Sequence, residues 1–253
     1  MAKKKLKRAG DGPDRVYKAL RDIIVEQTLA LGARLPEDAV ATRFGVSRTV
    51  VRAAIARLVA DGLVERPRNQ VARVASPTRE EADDLMAVRA ELEASIVARL
   101  ASDVTAKQIE KLRAHVREEE SALKDRGRAV RLSGEFHVLL AAATGSKLFE
   151  RYMVDIIARS SLVFTAQTTT NALCCSPREH AEIIDAVEKR DVAKAQARMR
   201  KHLDDCADRS RQRFGPAENF ADLPASAIRP LTSPSLAADL RPKDAARVGD
   251  TPD

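Results

Sequence analysis

Apolar residues recur every three to four positions along most of the chain, which is the period of amphipathic helices. The first such segment covers 14–30, and six more follow near 79–101, 105–125, 128–144, 146–170, 177–189 and 191–213. No strand-like alternation of apolar and polar residues occurs in the part after residue 79. The pattern therefore predicts a mainly α protein whose second domain is an all-helical bundle.

Residues 36–61 have the pattern of two short helices around a turn at Gly45, with Ser47 as the N-cap of the second helix. The apolar stripe of that second helix consists of Val50, Val51, Ala54, Ile55 and Leu58. Because this stripe must pack inward, Arg48, Thr49 and Arg52 are left on the opposite face, near the helix start. That is where a recognition helix presents side chains to the major groove of DNA.

The chain after these helices predicts a small hairpin, formed by residues 63–66 and 71–74. It would be the wing of a winged helix, with Arg68, Asn69 and Gln70 at its tip. Arginine can pair bidentately with guanine, threonine can contact a thymine methyl or a phosphate, and a helix N-terminus favours phosphate. This segment is therefore a candidate DNA-binding unit, although an ordinary helical hairpin would give a similar short pattern.

Proline and glycine positions divide the chain into domains. Ala-Ser-Pro-Thr at 75–78 breaks the helical pattern and predicts a hinge, while residues 215–253 contain six of the eleven prolines. We therefore expect a basic flexible arm at 1–13, a winged-helix domain at 14–76, a helical domain at 79–213 and a flexible tail at 214–253. Within the helical domain, Thr105 with Gln108 predicts a capping box, Asp125 to Gly127 a helix end, and Pro177 a first helical turn.

Charge is distributed unevenly between the two predicted domains. Residues 1–77 contain 16 Lys and Arg against 8 Asp and Glu, whereas residues 78–253 contain 28 against 29. Lys and Arg contacts to phosphate supply most non-specific affinity for nucleic acid. The basic first third is therefore either a surface for a polyanion or an ordinary solvated face.

Several features favour the cytoplasm and exclude a membrane protein. The chain has no run of about 18 apolar residues, and its basic start lacks the apolar stretch of a secretion signal. Three cysteines, two of them adjacent, do not form a disulfide framework. Cys174-Cys175 allows a thiol-ligand or redox interpretation, but without a second cysteine pair at zinc spacing an apolar role at a loop edge is favoured.

Three sequence motifs of the first domain resemble the winged-helix domain of the GntR family of bacterial transcription regulators. They are Leu-Gly-Ala-Arg-Leu-Pro-Glu at 31–37, Phe-Gly-Val-Ser-Arg-Thr-Val-Val-Arg at 44–52 and Leu-Val-Ala-Asp-Gly-Leu-Val at 58–64, and the resemblance covers about 14–76. It implies a dimer that binds an inverted-repeat operator and a wing tip that enters the minor groove. By position, the implied DNA contacts are Arg34, Arg48, Thr49 and Arg52. Val50 stands where such families often have proline, and Gln70-Val71 where they often have a wing-tip glycine.

The second domain is similar to the helical effector-binding domain, the FCD domain, of the FadR subfamily. The similarity rests on Leu-Met-Ala-Val-Arg-Ala-Glu-Leu-Glu at 85–93, Gly-Glu-Phe-His-Val-Leu-Leu-Ala at 134–141, Glu-His-Ala-Glu-Ile-Ile-Asp-Ala-Val-Glu at 179–188 and Met-Arg-Lys-His-Leu at 199–203. It implies a regulator, usually a repressor, whose affinity for DNA changes when a small organic acid enters the bundle.

Three histidines on three predicted helices point toward the bundle interior. Helical periodicity places His137, His180 and His202 on apolar faces, whereas His115 lies at a polar edge and is left out. A single inward histidine is usually a hydrogen-bonded core residue, but three converging imidazoles are favoured ligands of zinc, nickel or similar divalent ions. The resemblance implies a metal held by these three histidines, often with an aspartate at the position of Ser133. Without a metal, the same imidazoles could hydrogen-bond a carboxylate effector directly.

Two arginines of the helical domain are candidates for binding the effector carboxylate. Arg89 lies on the first bundle helix and Arg159 on the fourth, and a guanidinium can bind a carboxylate bidentately. A salt bridge with a bundle glutamate such as Glu93 is an equally good interpretation of either residue.

Two other function classes compete with a ligand-responsive repressor. A metal-dependent hydrolase or lyase would use the histidines with Glu135 or Glu179 as a general base. However, the sequence has no His-Glu-x-x-His motif, and this function would not explain the basic N-terminal segment. A non-specific architectural DNA binder would bind in a salt-dependent way with little sequence preference, and it gives the interior histidines no role.

Overall fold

The computed structural model describes residues 11–165, 175–210 and 220–222 of the chain. Its N-terminal domain contains α1 (Asp11–Val25), α2 (Glu37–Phe44), α3 (Arg48–Ala60) and the strands β1 (Val64–Glu65) and β2 (Arg73–Val74). The strands pair antiparallel, with Val64 opposite Val74 and Glu65 opposite Arg73. The predicted winged helix-turn-helix is therefore confirmed, including the position of its hairpin.

Local chemistry explains the sharp turn between α2 and α3. Gly45 has a φ of 62°, a left-handed conformation that glycine adopts without steric cost, and it closes α2. Ser47 then caps α3, because its side chain accepts a hydrogen bond from the backbone N–H of Val50. The apolar stripe of α3 packs on α1, with Val51, Ala54, Ile55 and Leu58 buried.

The helical domain consists of six helices, as the periodicity predicted. They are α4 (Arg79–Ser102), α5 (Ala106–Ser121), α6 (Arg126–Ala143), α7 (Lys147–Thr165), α8 (Pro177–Glu188) and α9 (Val192–Ser210). The capping box of Thr105 with Gln108 and the N-terminal Pro177 are confirmed. Asp125 was expected to end a helix but caps the start of α6, since α5 already ends at Ser121. None of the helices in the described ranges is long and apolar enough to cross a membrane.

Helix α4 lies at the centre of the bundle. It packs against α6, α7, α8 and most extensively α9, while α5 packs against α6 and α8. The shared core consists mainly of aliphatic side chains, together with Phe136, Met153 and Cys206. This arrangement brings α6, α8 and α9, which carry the three predicted histidines, around one interior region.

The two domains share an apolar boundary instead of being joined by the 75–78 hinge alone. Ala158 and Leu162 of α7 belong to the core of the N-terminal domain, and α1 packs directly on α7. Arg21 of α1 is buried and donates to the carbonyl of Val154 at 3.3 Å. Helix α1 therefore belongs to the core of the N-terminal domain and at the same time contacts the bundle.

The tail predicted to be flexible at 214–253 includes one segment that packs on the N-terminal domain. Residues 220–222 form a short 3-10 helix, in which Phe220 is buried in the N-terminal core and its backbone N–H donates to the carbonyl of Arg34 at 2.9 Å. Its ring centroid lies 6.5 Å from that of Phe44. The other tail residues and residues 1–10 of the predicted arm lie outside the described ranges, and α1 begins at Asp11, before the predicted arm boundary.

Replacing Phe220 by alanine should destabilise the N-terminal domain by about 3 kcal/mol, because a large aromatic side chain is removed from an apolar core. Urea denaturation of the full chain measures the change. Leu123→Ala removes an exposed apolar side chain (51% exposed) and serves as the control. Equal midpoints for the two variants would mean that the tail does not pack on this domain in solution.

Candidate metal centre and nucleic-acid interface

The start of α3 presents its polar side chains to solvent. Arg48, Thr49 and Arg52 are all exposed. Acidic residues at the start of α2 hold the two arginines, since Arg48 forms an ion pair with Asp38 and Arg52 donates through Nε to Glu37 at 2.7 Å. The guanidinium groups therefore lie at the surface, paired with carboxylates that a nucleic acid would have to replace.

The wing forms a second exposed surface beside α3. Its tip contains Arg68, Asn69 and Gln70, all exposed. Asn69 has a φ of 60°, in the left-handed region that asparagine tolerates better than most residues, so the tip turns without a glycine. Arg34 is also exposed and its backbone bridges to Arg73, which places it next to the hairpin. All seven predicted DNA contacts therefore lie on exposed parts of the N-terminal domain.

The three predicted histidines come together in the bundle, and each is oriented by a glutamate. The Nδ1 atoms pair with carboxylate oxygens as follows: His137 with Glu93 at 2.5 Å, His180 with Glu119 at 2.7 Å and His202 with Glu179 at 2.8 Å. Metal-ligating histidines in proteins usually donate their other ring nitrogen to such an acceptor. In each ring the Nε2 atom is therefore left to face another partner.

These Nε2 atoms meet in the interior. The ring centroids of the three histidines are separated by 4.9 to 5.3 Å, and Phe136 stacks on His180 at 4.0 Å. The Nε2 atoms of His137 and His180 are buried without a hydrogen-bond partner. Buried polar atoms are almost always paired in native proteins, so two orphaned imidazole nitrogens at one point fit a bound cation.

A buried carboxylate network surrounds this point. Glu93 also accepts from the Nε of Arg89 at 2.6 Å, and both side chains are almost completely buried. Burial raises the pKa of Glu93, but His137 and Arg89 outweigh it and lower the pKa to about 2. The sequence left two interpretations of Arg89 open, effector binding or a salt bridge with Glu93, and the structure contains the salt bridge.

Neighbouring side chains raise the pKa values of His180 and His202. Burial lowers the pKa of His180, but the Glu119 carboxylate raises it above its ordinary value. Burial likewise lowers the pKa of His202, and the neighbouring Cys175, Cys206 and Glu179 raise it well above the ordinary value. The surroundings of His180 and His202 favour a positive charge on these two rings, which either a proton or a metal ion at Nε2 supplies.

A small cavity adjoins His137. Its volume is about 30 Å³, and it is bordered by Arg89, Ser133, His137 and Cys175 of the helical domain. Val25, at the end of α1, and Gln27 border the same cavity from the N-terminal side. Space of this size holds one or two water molecules, and it is much smaller than the several hundred cubic ångströms of a typical ligand pocket.

One predicted effector-binding residue lies elsewhere. Arg159 is exposed, and its guanidinium lies against Gly62 at the surface cleft between the domains. It does not border the histidine cavity, because the residues of α7 that do so, among them Ile157 and Phe164, project from another face of the helix. The role of Arg159 in effector binding stays a prediction, and of the three predicted effector-binding residues only Arg89 and Ser133 border this cavity.

Sequence reasoning missed several residues of this centre. Glu93, Glu119 and Glu179 orient the histidines, and His115, which was left out, contacts Glu119 at 3.3 Å through Nε2. The spacing of four residues in the pairs Arg89/Glu93 and His115/Glu119 was the available signal, but it is equally common on exposed helix faces. Cys175, expected to be an apolar filler, is grouped with the three histidines, and Cys174 lies outside the described residues.

Neither proposed general base is free for catalysis. The carboxylate of Glu135 is bound to Arg131 at 2.6 Å, and burial, although opposed by Arg131, raises its pKa. Glu179 is bound to Nδ1 of His202 and so serves to orient a ring. The geometry therefore does not support the hydrolase or lyase interpretation.

Two family models match this chain. Residues 13–74 match the model described as bacterial regulatory proteins, gntR family, and residues 84–205 match that of the FCD domain. The chain is also similar to the HTH-type transcriptional repressor RspR of Escherichia coli, with 26% identity over 203 residues (78% of this chain and 88% of the relative). The repressor NanR of Cronobacter sakazakii is 28% identical over 227 residues, covering 80% and 84% of the two chains.

Solved structures support the fold. The putative transcriptional regulator GntR from Rhodococcus sp. RHA1 is 24% identical and has a TM-score of 0.69, covering 78% of this chain and 96% of that chain. E. coli McbR/YncC is 18% identical with a TM-score of 0.67, covering 76% and 93%. At these identities the structural likeness bears on the fold alone.

The variant Glu93→Gln should lower the free energy of unfolding by about 3 to 5 kcal/mol, because it leaves the buried Arg89 without its counter-charge. Urea denaturation monitored by circular dichroism measures this. Glu91→Gln is the matched control on the same helix, since Glu91 pairs with Arg200 at 2.6 Å on the exposed surface. Similar midpoints for both variants would contradict a stabilising role of the buried network.

Proposed function

Because the chain belongs to the GntR family of bacterial regulatory proteins and carries an FCD domain, we propose that it is a repressor of the FadR subfamily that binds an inverted-repeat operator as a homodimer. It is a transcription regulator and not an enzyme. It acts in the cytoplasm on double-stranded DNA. A small carboxylate metabolite that binds in the helical domain changes its affinity for the operator.

The proposed DNA interface is the exposed start of α3 together with the wing. An α-helix fits the major groove, and Arg48, Thr49 and Arg52 lie near the helix end that meets base edges in helix-turn-helix proteins. Glu37 and Asp38 hold the arginines in place before binding, and guanine or phosphate oxygens take over from these carboxylates in the complex. Arg34 and the wing tip, Arg68 to Gln70, contact the adjacent backbone and minor groove.

Changing Arg52 to alanine should remove about 1 to 3 kcal/mol of discrimination between operator and random DNA, because a base-reading guanidinium is lost. The operator is first identified by selecting, from a pool of random DNA, the sequences that the purified full chain binds. We expect the selected sequence to be an inverted repeat. Affinities for operator and scrambled DNA are then compared by fluorescence anisotropy.

The control for this variant is Arg178→Ala, which removes an exposed arginine on α8, in the other domain. Equal losses on both DNA sequences for Arg52→Ala would assign Arg52 to phosphate contact. If the selection enriches no sequence, and the affinity of the protein for DNA depends on salt but not on sequence, the protein is a non-specific architectural binder instead.

One observation carries the proposed response to a ligand: the cavity beside the histidines is bordered by both domains. Arg89 and Ser133 line it from the bundle, and Val25 and Gln27 line it from the DNA-binding side. Because the cavity is only about 30 Å³, an organic acid enters only if lining groups move outward. That movement displaces the end of α1, on which α3 packs, so the ligand has different affinities for two arrangements of the DNA-binding domain.

Arg89 and a metal are the proposed anchors of the carboxylate. Arg89 borders the cavity while its Nε is bound to Glu93, which leaves its terminal guanidinium nitrogens available for a carboxylate, and Ser133, which also borders the cavity, offers a further hydrogen bond. His137, His180 and His202 would hold a divalent ion of the zinc or nickel type through Nε2. When bound, such an ion supplies positive charge that attracts an anionic ligand to the cavity wall.

The variant Arg89→Lys should weaken carboxylate binding about tenfold or more, because lysine keeps the charge but loses the bidentate fork. Thermal-shift titration with a panel of sugar acids, hydroxy acids, fatty acids and amino acids, with and without zinc, measures binding. Arg159→Lys is the control and should bind like the original protein, since Arg159 lies outside the cavity. If Arg159→Lys weakens binding and Arg89→Lys does not, the ligand site is the cleft between the domains instead.

A further inference from the structure

Cys175 is the one described thiol whose sulfur joins the three histidines in a single group of donors. It is buried, and it lies two residues before the start of α8. Its Sγ and the ligand atoms of His137, His180 and His202 all lie within 4.8 Å of one another. Two of these ligand residues have buried Nε2 atoms without a partner, which is an independent sign that a cation belongs here.

We propose that Cys175 is the fourth protein ligand of the metal, so that the centre has three imidazoles and one thiolate. This rests on the proposed metal at the three histidines and goes beyond it. Tetrahedral zinc-type sites use this combination of nitrogen and sulfur donors, with Zn–N near 2.0 Å and Zn–S near 2.3 Å. Donor atoms in such a set are roughly 3.5 Å apart, so closure requires inward movements of about 1 Å.

Charge favours a thiolate at this position. Three neutral imidazoles supply no negative charge to a divalent ion, and the carboxylates of Glu93, Glu119 and Glu179 contact the rings at Nδ1, on the side away from Nε2. The neighbouring cavity residue Ser133 has only a neutral hydroxyl. Within the group of donors, Cys175 is the residue that supplies an anion, and it does so by releasing its proton as the metal binds.

The second buried cysteine, Cys206, supports this sulfur from the side of α9. Its Sγ lies 3.4 Å from the Cys175 sulfur and 3.9 Å from Nε2 of His202. A thiol at this distance can donate a weak hydrogen bond to a thiolate, as outer residues of metal sites do. Cys206 is therefore a positioning residue in this arrangement and not a ligand.

A thiolate in the set predicts which ions the protein prefers. Sulfur ligands favour zinc and cobalt over magnesium, calcium and manganese, which prefer oxygen donors. The proposal therefore assigns the centre to a tetrahedral, thiolate-tolerant divalent ion.

Cobalt(II) binding to the full chain tests the proposal. Protein freed of metal by chelation and kept reduced is titrated with CoCl₂, and its absorption spectrum is recorded. We expect one cobalt per chain and an intense near-ultraviolet thiolate-to-cobalt charge-transfer band. Cys175→Ser should abolish that band while retaining cobalt on the three histidines, with at least tenfold weaker binding. Cys206→Ser should retain the band.

The outcomes separate the two levels of the proposal. If the original protein binds no cobalt or zinc, both the metal at the histidines and the role of Cys175 are wrong. If it binds cobalt without the band, or if Cys206→Ser loses the band and Cys175→Ser keeps it, the metal at the histidines stands and Cys175 is not its ligand. X-ray absorption of the zinc-loaded original protein gives the same decision without a variant, because it should detect one sulfur at about 2.3 Å.

Discussion

Pairing between buried carboxylates and buried cationic or imidazole groups is the interaction on which the helical domain depends. Glu93 joins α4 to α6 through His137, and Glu119 joins α5 to α8 through His180. Charges of this kind are tolerated in an apolar interior only when they are paired. The carboxylates occupy the Nδ1 atoms and so fix the orientation of each ring, while helix packing brings one ligand atom of each of the three histidines within 4.8 Å of the others.

The position of α1 connects that point to the DNA-binding surface. This helix packs on α3 within the winged domain and on α7 of the bundle, and its last residue, Val25, borders the cavity beside His137. Arg126 of α6 also donates to the side chain of Gln27 at 3.0 Å. Helix α1 therefore connects the bundle to α3 by direct packing, separately from the 75–78 segment.

Much of the fold was predictable because its signals are local. The periodicity of apolar residues, the turn at Gly45 and the caps at Ser47 and Thr105 depend on residues a few positions apart, and the structure contains each of them. The inward direction of the three histidines follows from the same periodicity. The partners of those histidines were not predictable, since a glutamate such as Glu119 has the same helical spacing whether it faces water or a neighbouring helix.

The sequence alone determined the fold class, the helices, the basic N-terminal segment and the residue types available for metal binding, because these depend on composition and short spacings, while the family followed from the resemblance of its motifs. Tertiary structure decided which residues are neighbours. It moved Arg159 to the surface, brought Cys175 to the histidines and buried Phe220 against the winged domain. Such contacts depend on how helices pack across many residues of intervening chain, and periodicity defines the face of a helix without defining what that face meets.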